Sequence, residues 1–129
     1  MKRRYWLAAA AILTPCWAMA QPSLVGQWVM PVPNNAQCSE FYDFKDNGEV
    51  NIRSGLERVS GRYEVLETLG LPQVNVLFIE DNQMPDCFGS NEDQTNQQTT
   101  HYLKWESDNH VRYCNDVLGQ NCPVGLIRQ

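Results

Sequence analysis

The side chains that could do chemistry in this chain are few, and they form no recognisable catalytic set. Nucleophilic catalysis needs a serine or cysteine beside a histidine that a carboxylate orients. His101 shares an alternation with Leu103 and Trp105, which predicts an inward side chain, either a hydrogen-bonded core residue or part of a cavity wall. His110 flanks a turn and is predicted to be solvated. The sequence therefore favours a protein that is not an enzyme.

An acidic and amide-rich segment offers oxygen ligands of the kind that Ca²⁺ prefers. It comprises Glu80–Asn82, Asp86 and Asn91–Asp93. It lacks the regular spacing of a calcium-binding loop. A solvated acidic loop is the simpler interpretation, and we predict no metal and no cofactor.

The cysteines that follow the N-terminal segment are Cys38, Cys87, Cys114 and Cys122. None of their spacings is the Cys-x-x-Cys typical of zinc sites. An even number of cysteines in a short exported chain predicts two disulfides.

The N-terminus has the three parts of a secretory signal peptide, namely basic residues at Lys2–Arg4, an apolar stretch at Tyr5–Leu13 and small residues at Ala18–Ala20. We expect residues 1–20 to be removed before Gln21 and the chain to reach the periplasm of a Gram-negative cell. The apolar stretch is much shorter than the ~20 residues of a membrane-spanning helix, so no membrane span is expected. Lipid attachment at Cys16 is disfavoured because a proline precedes it.

Cleavage removes three basic side chains and no acidic one, so the formal net charge moves from −5 to −8, with 7 Lys plus Arg against 15 Asp plus Glu. Nucleic acids and anionic membranes bind clustered Lys and Arg, so the acidic chain argues against both as partners. A basic partner protein is compatible with this charge.

Apolar and polar residues alternate in short segments between turn signals, and no segment has the period of an amphipathic helix. This predicts an all-β fold, a single domain over residues 21–129 that forms a small antiparallel up-and-down β-barrel or a strongly curved meander sheet of about seven or eight strands. The predicted strands are Leu24–Met30, Ser39–Phe44, Glu49–Arg53, Arg58–Leu66, Val74–Glu80, Thr99–Glu106 and His110–Asn115.

Two hairpin registers follow from the requirement that apolar residues share one face, since a slip of one residue would send them to opposite faces. A three-residue loop with Gly48 in the left-handed conformation joins the second and third strands. A similar loop with Asn109 in that role joins the sixth and seventh. The predicted pairs are Phe44 with Val50, Tyr42 with Ile52, Trp105 with Val111 and Leu103 with Tyr113.

In an up-and-down meander every second connection lies at the same end. The longer connections, Pro31–Gln37, Ser54–Glu57, Asp81–Gln98 and the C-terminal tail, then share one end. All four cysteines fall at or near it, which favours the pairs Cys38–Cys87 and Cys114–Cys122 and leaves the other two connectivities open.

The segment Leu24–Trp28 reads Leu-Val-Gly-Gln-Trp, and its Gly-x-Trp resembles the motif at the start of the first strand of lipocalins and related calycin barrels. The resemblance implies a barrel whose closed end is plugged by Trp28 and whose open end lies under the long loops. Bulky inward residues either fill such an interior or leave a pocket where a ligand stacks. They are Trp28, Tyr42, Phe44, Tyr63, Phe78, Trp105 and Tyr113.

Two functions are compatible with this architecture. The first is a non-enzymatic periplasmic binding protein that holds a small apolar ligand at the open, loop-rich end. The alternative is an inhibitor or immunity protein whose disulfide-tied loops, with their apolar tips, block an envelope-targeted enzyme such as a lysozyme-type hydrolase or a toxin. The candidate binding residues are Met30, Met84, Phe88, His101 and Trp105, of which the first three are expected to be exposed on the loops.

Overall fold

The computed structural model describes residues 10–15 and 21–129. Most of the predicted signal peptide, its cleavage site and Cys16 lie outside the described residues. Within the described ranges, no helix is long and apolar enough to cross a membrane. The eight strands are β1 (Gly26–Val32), β2 (Asn35–Phe44), β3 (Glu49–Ser54), β4 (Glu57–Leu66), β5 (Gln73–Asp81), β6 (Gln98–Ser107), β7 (His110–Cys114) and β8 (Val124–Arg128).

The strands form a closed antiparallel barrel in which each strand pairs with the next and β8 pairs with β1. The predicted all-β meander is thereby confirmed as a closed barrel, and each of the seven predicted strands corresponds to one of β1–β7. The eighth strand, β8, was not among the seven. It is short, contains Gly125 and presents Ile127 outward at 45% exposure, so its alternation is weak.

Both predicted hairpin registers are confirmed, because all four residue pairs lie opposite one another in the ladders. Gly48 has φ 87°, as the β2–β3 turn requires. The prediction for Asn109 is wrong, since it does not have a positive φ. Ser107 pairs with His110 instead, and a bulge at Glu106 absorbs the extra residue that a left-handed loop position would have accommodated.

One end of the barrel is closed around Trp28, which is fully buried. The indole N–H donates to the Leu24 carbonyl at 2.8 Å, and the Arg128 guanidinium lies 4.1 Å from the ring centroid. Arg128 also donates to the carbonyl oxygens of Ser23 and Val25, both at 2.8 Å. The last strand therefore fastens the segment that leads into β1, and the indole of Trp28 occupies the centre of the barrel at this end.

Both predicted disulfides, Cys38–Cys87 and Cys114–Cys122, are present. The prediction that all four cysteines lie at the loop-rich end is right for Cys38 and Cys87 but wrong for Cys114. Because β7 is short and barrel strands are staggered, Cys114 lies opposite Tyr102 in the middle of β6. The β7–β8 connection, residues 115–123, consequently lies along the outer wall, where the carbonyl oxygen of its Val117 accepts a hydrogen bond from Leu71 N–H at 2.9 Å.

Candidate functional site

The long β5–β6 connection, residues 82–97, crosses the open end of the barrel and is fastened at Cys87. The disulfide ties it to Cys38 on β2. Cys87 N–H donates to Ser54 Oγ at 3.0 Å, and the Asn35 side chain donates to the Cys87 carbonyl at 3.2 Å. The loop is thus held to the barrel wall by a covalent bond and two hydrogen bonds at one residue.

The β3–β4 turn supports the same loop through a close backbone approach. Gly55 has φ 58°, and a Cβ added to it would lie 3.1 Å from the Pro85 carbonyl oxygen. Leu56 N–H donates to that oxygen at 3.0 Å, and the Asn82 side chain donates to the Leu56 carbonyl at 3.1 Å. Turn and loop therefore form one continuous rim around the open end.

A cavity of about 290 Å³, which we call the mouth cavity, lies beneath this rim. This is the size of the smaller ligand sites in proteins. A larger groove of about 590 Å³ lies on the outer wall over β3 and β4, where it is open to solvent. The mouth cavity is lined by Glu40, Tyr42, Ile52, Ser54, Glu57, Val59, Phe78, Asp86, Phe88 and Gln94.

Glu40 is the centre of a hydrogen-bond network in this wall. Its two carboxylate oxygens accept hydrogen bonds from Tyr42 Oη at 2.6 Å and from Ser54 Oγ at 3.0 Å. Burial, followed by the charge of Glu40, raises the pKa of Tyr42 well above its usual value, so the phenol remains a donor. Since Ser54 also accepts from Cys87 N–H, the network connects the cavity wall to the disulfide-tied loop.

Glu57 is the most unusual residue of the site. It is 5% exposed, lines the cavity, and its carboxylate accepts no hydrogen bond from any described residue. Burial raises its pKa to about 7, and the negative charges of Asp81, Asp86 and Glu40 add to the shift. Near pH 7 this carboxyl group is therefore about half protonated, and a cation or a hydrogen-bond donor that reached it would favour its ionised form.

Tyr113 and His101 form a second buried polar group next to this wall. Their rings are stacked with centroids 4.7 Å apart, and Tyr113 meets Tyr42 edge-on at 6.2 Å. Neither the Tyr113 hydroxyl nor His101 Nδ1 has a hydrogen-bond partner among the described residues. Burial lowers the pKa of His101, which keeps its ring neutral near pH 7. His101 stacks on a tyrosine and Ser54 donates to Glu40, so the two do not form a nucleophile–base pair.

The five candidate residues from the sequence are spread over the barrel. Met84 and Phe88 are on the rim, 43% and 67% exposed, and Phe88 also lines the mouth cavity. His101 lies inside, against Tyr113. Met30 was expected to be exposed and is instead buried, at 6%, because it continues the inward alternation of β1. Trp105 is at the closed end, with its ring centroid 5.8 Å from that of Trp28, and it does not line the mouth cavity.

Sequence reasoning missed the two glutamates of the cavity wall. Glu40 precedes Tyr42 and Phe44 on one inward alternation, and Glu57 precedes Val59 on another. Extending each alternation by one step would have pointed both carboxylates inward. The described part of the chain contains no group of three His, Cys, Asp or Glu side chains arranged as in a metal site.

The fold and this site define a class, a disulfide-bonded, eight-stranded closed antiparallel barrel with a filled closed end and a polar cavity under its open end. This architecture is compatible with a lipocalin-like barrel. Comparisons with models of protein families, with curated proteins and with solved structures find no match to the chain.

Proposed function

We propose that this chain is a non-enzymatic, lipocalin-like binding protein of the periplasm that holds a small ligand at the open, loop-rich end of its barrel. The mouth cavity is the observation that carries the proposal. The interior nearer the closed end is filled by Trp28 and Leu103, so the ligand is short and lies near the rim. Its apolar part packs on Ile52, Val59 and Phe78, which line the cavity. Two disulfides suit the oxidising compartment that the signal-like N-terminus predicts.

Mass spectrometry of the protein purified from the periplasm tests this proposal. We expect the native mass to exceed the denatured mass by that of a small molecule. When the released compound is added back to bare protein, amide resonances of Ile52 and Glu57 should shift, whereas Trp28 and Arg128 at the closed end serve as internal controls. A bare polypeptide in both spectra, with no shift at the mouth when a small-molecule extract of the periplasm is added, would contradict the proposal.

A second candidate function is inhibition of an envelope-targeted enzyme, and one feature of the rim favours it. Leu56, Met84 and Phe88 are 61%, 43% and 67% exposed, although they belong to the rigid rim. Asp86 fixes the loop locally, since its carboxylate accepts from Phe88 N–H at 2.8 Å. Apolar anchors held rigidly among carboxylates suit the surface of a basic enzyme.

Replacing Phe88 with aspartate tests this second candidate in an assay of a basic lysozyme-type hydrolase. We expect the native chain to slow the hydrolase and Phe88→Asp to weaken that inhibition by about tenfold to hundredfold, because an exposed anchor is lost. Leu69→Asp is the matched control, since Leu69 is fully exposed on the β4–β5 connection, away from the rim. Equal inhibition by all three proteins, or no inhibition by the native chain, would count against this function.

A further inference from the structure

The wall of the mouth cavity combines two kinds of surface. Glu40, Glu57 and Asp86 bring carboxylates to it, and Tyr42 and Phe78 bring aromatic rings. Carboxylates bind cationic groups, and aromatic faces attract both cations and apolar groups. A ligand that uses the whole wall therefore has a positively charged end and an apolar end.

The carboxylates of the cavity have no cationic partner in the described part of the chain. The ion pair found among the described residues joins Lys45 to Glu49, away from the cavity at the closed-end turn between β2 and β3. Arg53 and Arg58 are near the rim but are engaged elsewhere: Arg53 lies over the Phe41 ring at 4.6 Å, and Arg58 donates to backbone carbonyls. No described residue therefore supplies a positive charge to Glu57, and a bound cation would do so.

Tyr113 lies directly behind Tyr42 of the cavity wall and is a second buried polar residue to be considered. It is 5% exposed, and its hydroxyl has no hydrogen-bond partner in the part of the chain that the structure describes. It lies within the influence of the Glu40 charge, which together with burial raises the pKa of this phenol, and it meets Tyr42 of the cavity wall edge-on. A phenol oxygen can accept a hydrogen bond as well as donate one, so an N–H donor near Glu40 would satisfy it. Buried polar groups without a partner are rare, so a bound donor or an ordered water that reached this phenol would satisfy it.

We propose, building on the binding function above, that the ligand of the mouth cavity is a small organic cation with an ammonium head and a short apolar or aromatic body, for which Glu57 is the counter-ion. The head lies between Glu57 and Glu40, and the body packs on Phe78 and the neighbouring rim. An anionic ligand would add a further negative charge to this wall. A neutral apolar ligand would cover Glu57 without satisfying it.

Three probes that share a phenyl body but differ in charge test the inference: phenethylamine, 2-phenylethanol and phenylacetate. Calorimetric titration should give the amine an affinity about tenfold or more above that of the alcohol, and phenylacetate the weakest binding. Glu57→Gln, which keeps the side-chain shape, should remove most of the advantage of the amine over the alcohol. Glu67→Gln deletes the same charge on the exposed β4–β5 connection and should leave all three affinities unchanged.

The affinity for phenethylamine should also rise between about pH 5.5 and about pH 8, because only ionised Glu57 is a counter-ion and its pKa is about 7 without ligand. The other titratable groups around it are Glu40 and Tyr42 on β2, Asp81 at the end of β5 and Asp86 in the loop. Glu57→Gln should flatten the profile. A slope that persists in this variant would assign the effect to another group and overturn the role of Glu57.

The outcomes separate this inference from the function on which it rests. If 2-phenylethanol or phenylacetate shifts the amide resonances at the mouth and binds as tightly as the amine, the binding function stands and the cation inference is wrong. If no probe shifts them and purified protein retains no ligand, both are wrong. Should Glu57→Gln fail to fold, its loss of binding has no weight, and the ranking of the three probes on the native chain decides.

Discussion

Replacing Trp28 with alanine is expected to lower the free energy of unfolding by about 3–5 kcal/mol, a large part of the ~5–15 kcal/mol typical of a whole domain. The ring is fully buried, packs near Trp105 and the Arg128 guanidinium, and donates to the Leu24 carbonyl. Alanine would remove all of these contacts and leave a cavity. Denaturant unfolding of native and variant protein measures the difference.

Trp105→Ala is the matched control for this experiment. It deletes the same side chain at the same end of the barrel, but Trp105 is only partly buried. We expect it to cost less than half as much. A Trp28→Ala effect no larger than the control would mean that the indole of Trp28 does not plug the closed end.

Loss of the Cys38–Cys87 disulfide is expected to destabilise the domain by about 4 kcal/mol and to abolish ligand binding at the mouth cavity. The bond spans 49 residues and fastens the β5–β6 loop whose Asp86 and Phe88 line the cavity. With both cysteines changed to serine, only hydrogen bonds, such as those of residue 87 with Ser54 and Asn35, would hold the loop to the barrel. Thermal or denaturant unfolding and the probe titrations measure the two effects separately.

The second disulfide provides the control. Cys114–Cys122 spans only 8 residues, so its removal as a double serine variant is expected to cost about 2.5 kcal/mol by the same loop-entropy argument. It closes the β7–β8 connection on the outer wall and does not line the mouth cavity, so binding of the probes should persist. If both double variants bind equally well, the loop does not depend on its disulfide for position.

Much of the fold could be predicted because a strand that is buried on one face reveals that face in its sequence. The pairs Phe44–Val50 and Trp105–Val111 followed from this rule, and the loops whose ends it defined led to the correct disulfides. The rule weakens where a strand is short or contains glycine, which is why β8 was missed. It also cannot locate a bulge. The bulge at Glu106 lets Ser107 pair with His110, so the turn does not need Asn109 in the left-handed conformation.

The site was harder to predict because its defining residues break the same rule. A glutamate in an alternating segment is normally assigned to the wet face, yet Glu57 points inward beneath a loop that begins about 25 residues further along the chain. The hydrogen bonds that place Ser54 and Glu40 depend on where Cys87 is held. Position in the closed barrel, rather than any local motif, brings these groups together. The end of a strand is equally hard to assign from local sequence, and Met30 was therefore placed on the rim although it is buried in the core.

The contact between Trp28 and Arg128 has a consequence for how the molecule is assembled. The hydrogen bonds that Arg128 makes to Ser23 and Val25 join residues 105 and 103 positions apart, so the seam between β1 and β8 is the most non-local part of the fold. Contacts of this kind form late, because the chain between them must be ordered or looped first. Until β8 arrives, β1 and β7 are bare edges on which another unfinished copy can pair. A chain delivered from its N-terminus therefore remains vulnerable to aggregation almost until its whole length is available, and a chaperone that covers the edge of β1 would be most useful during that interval.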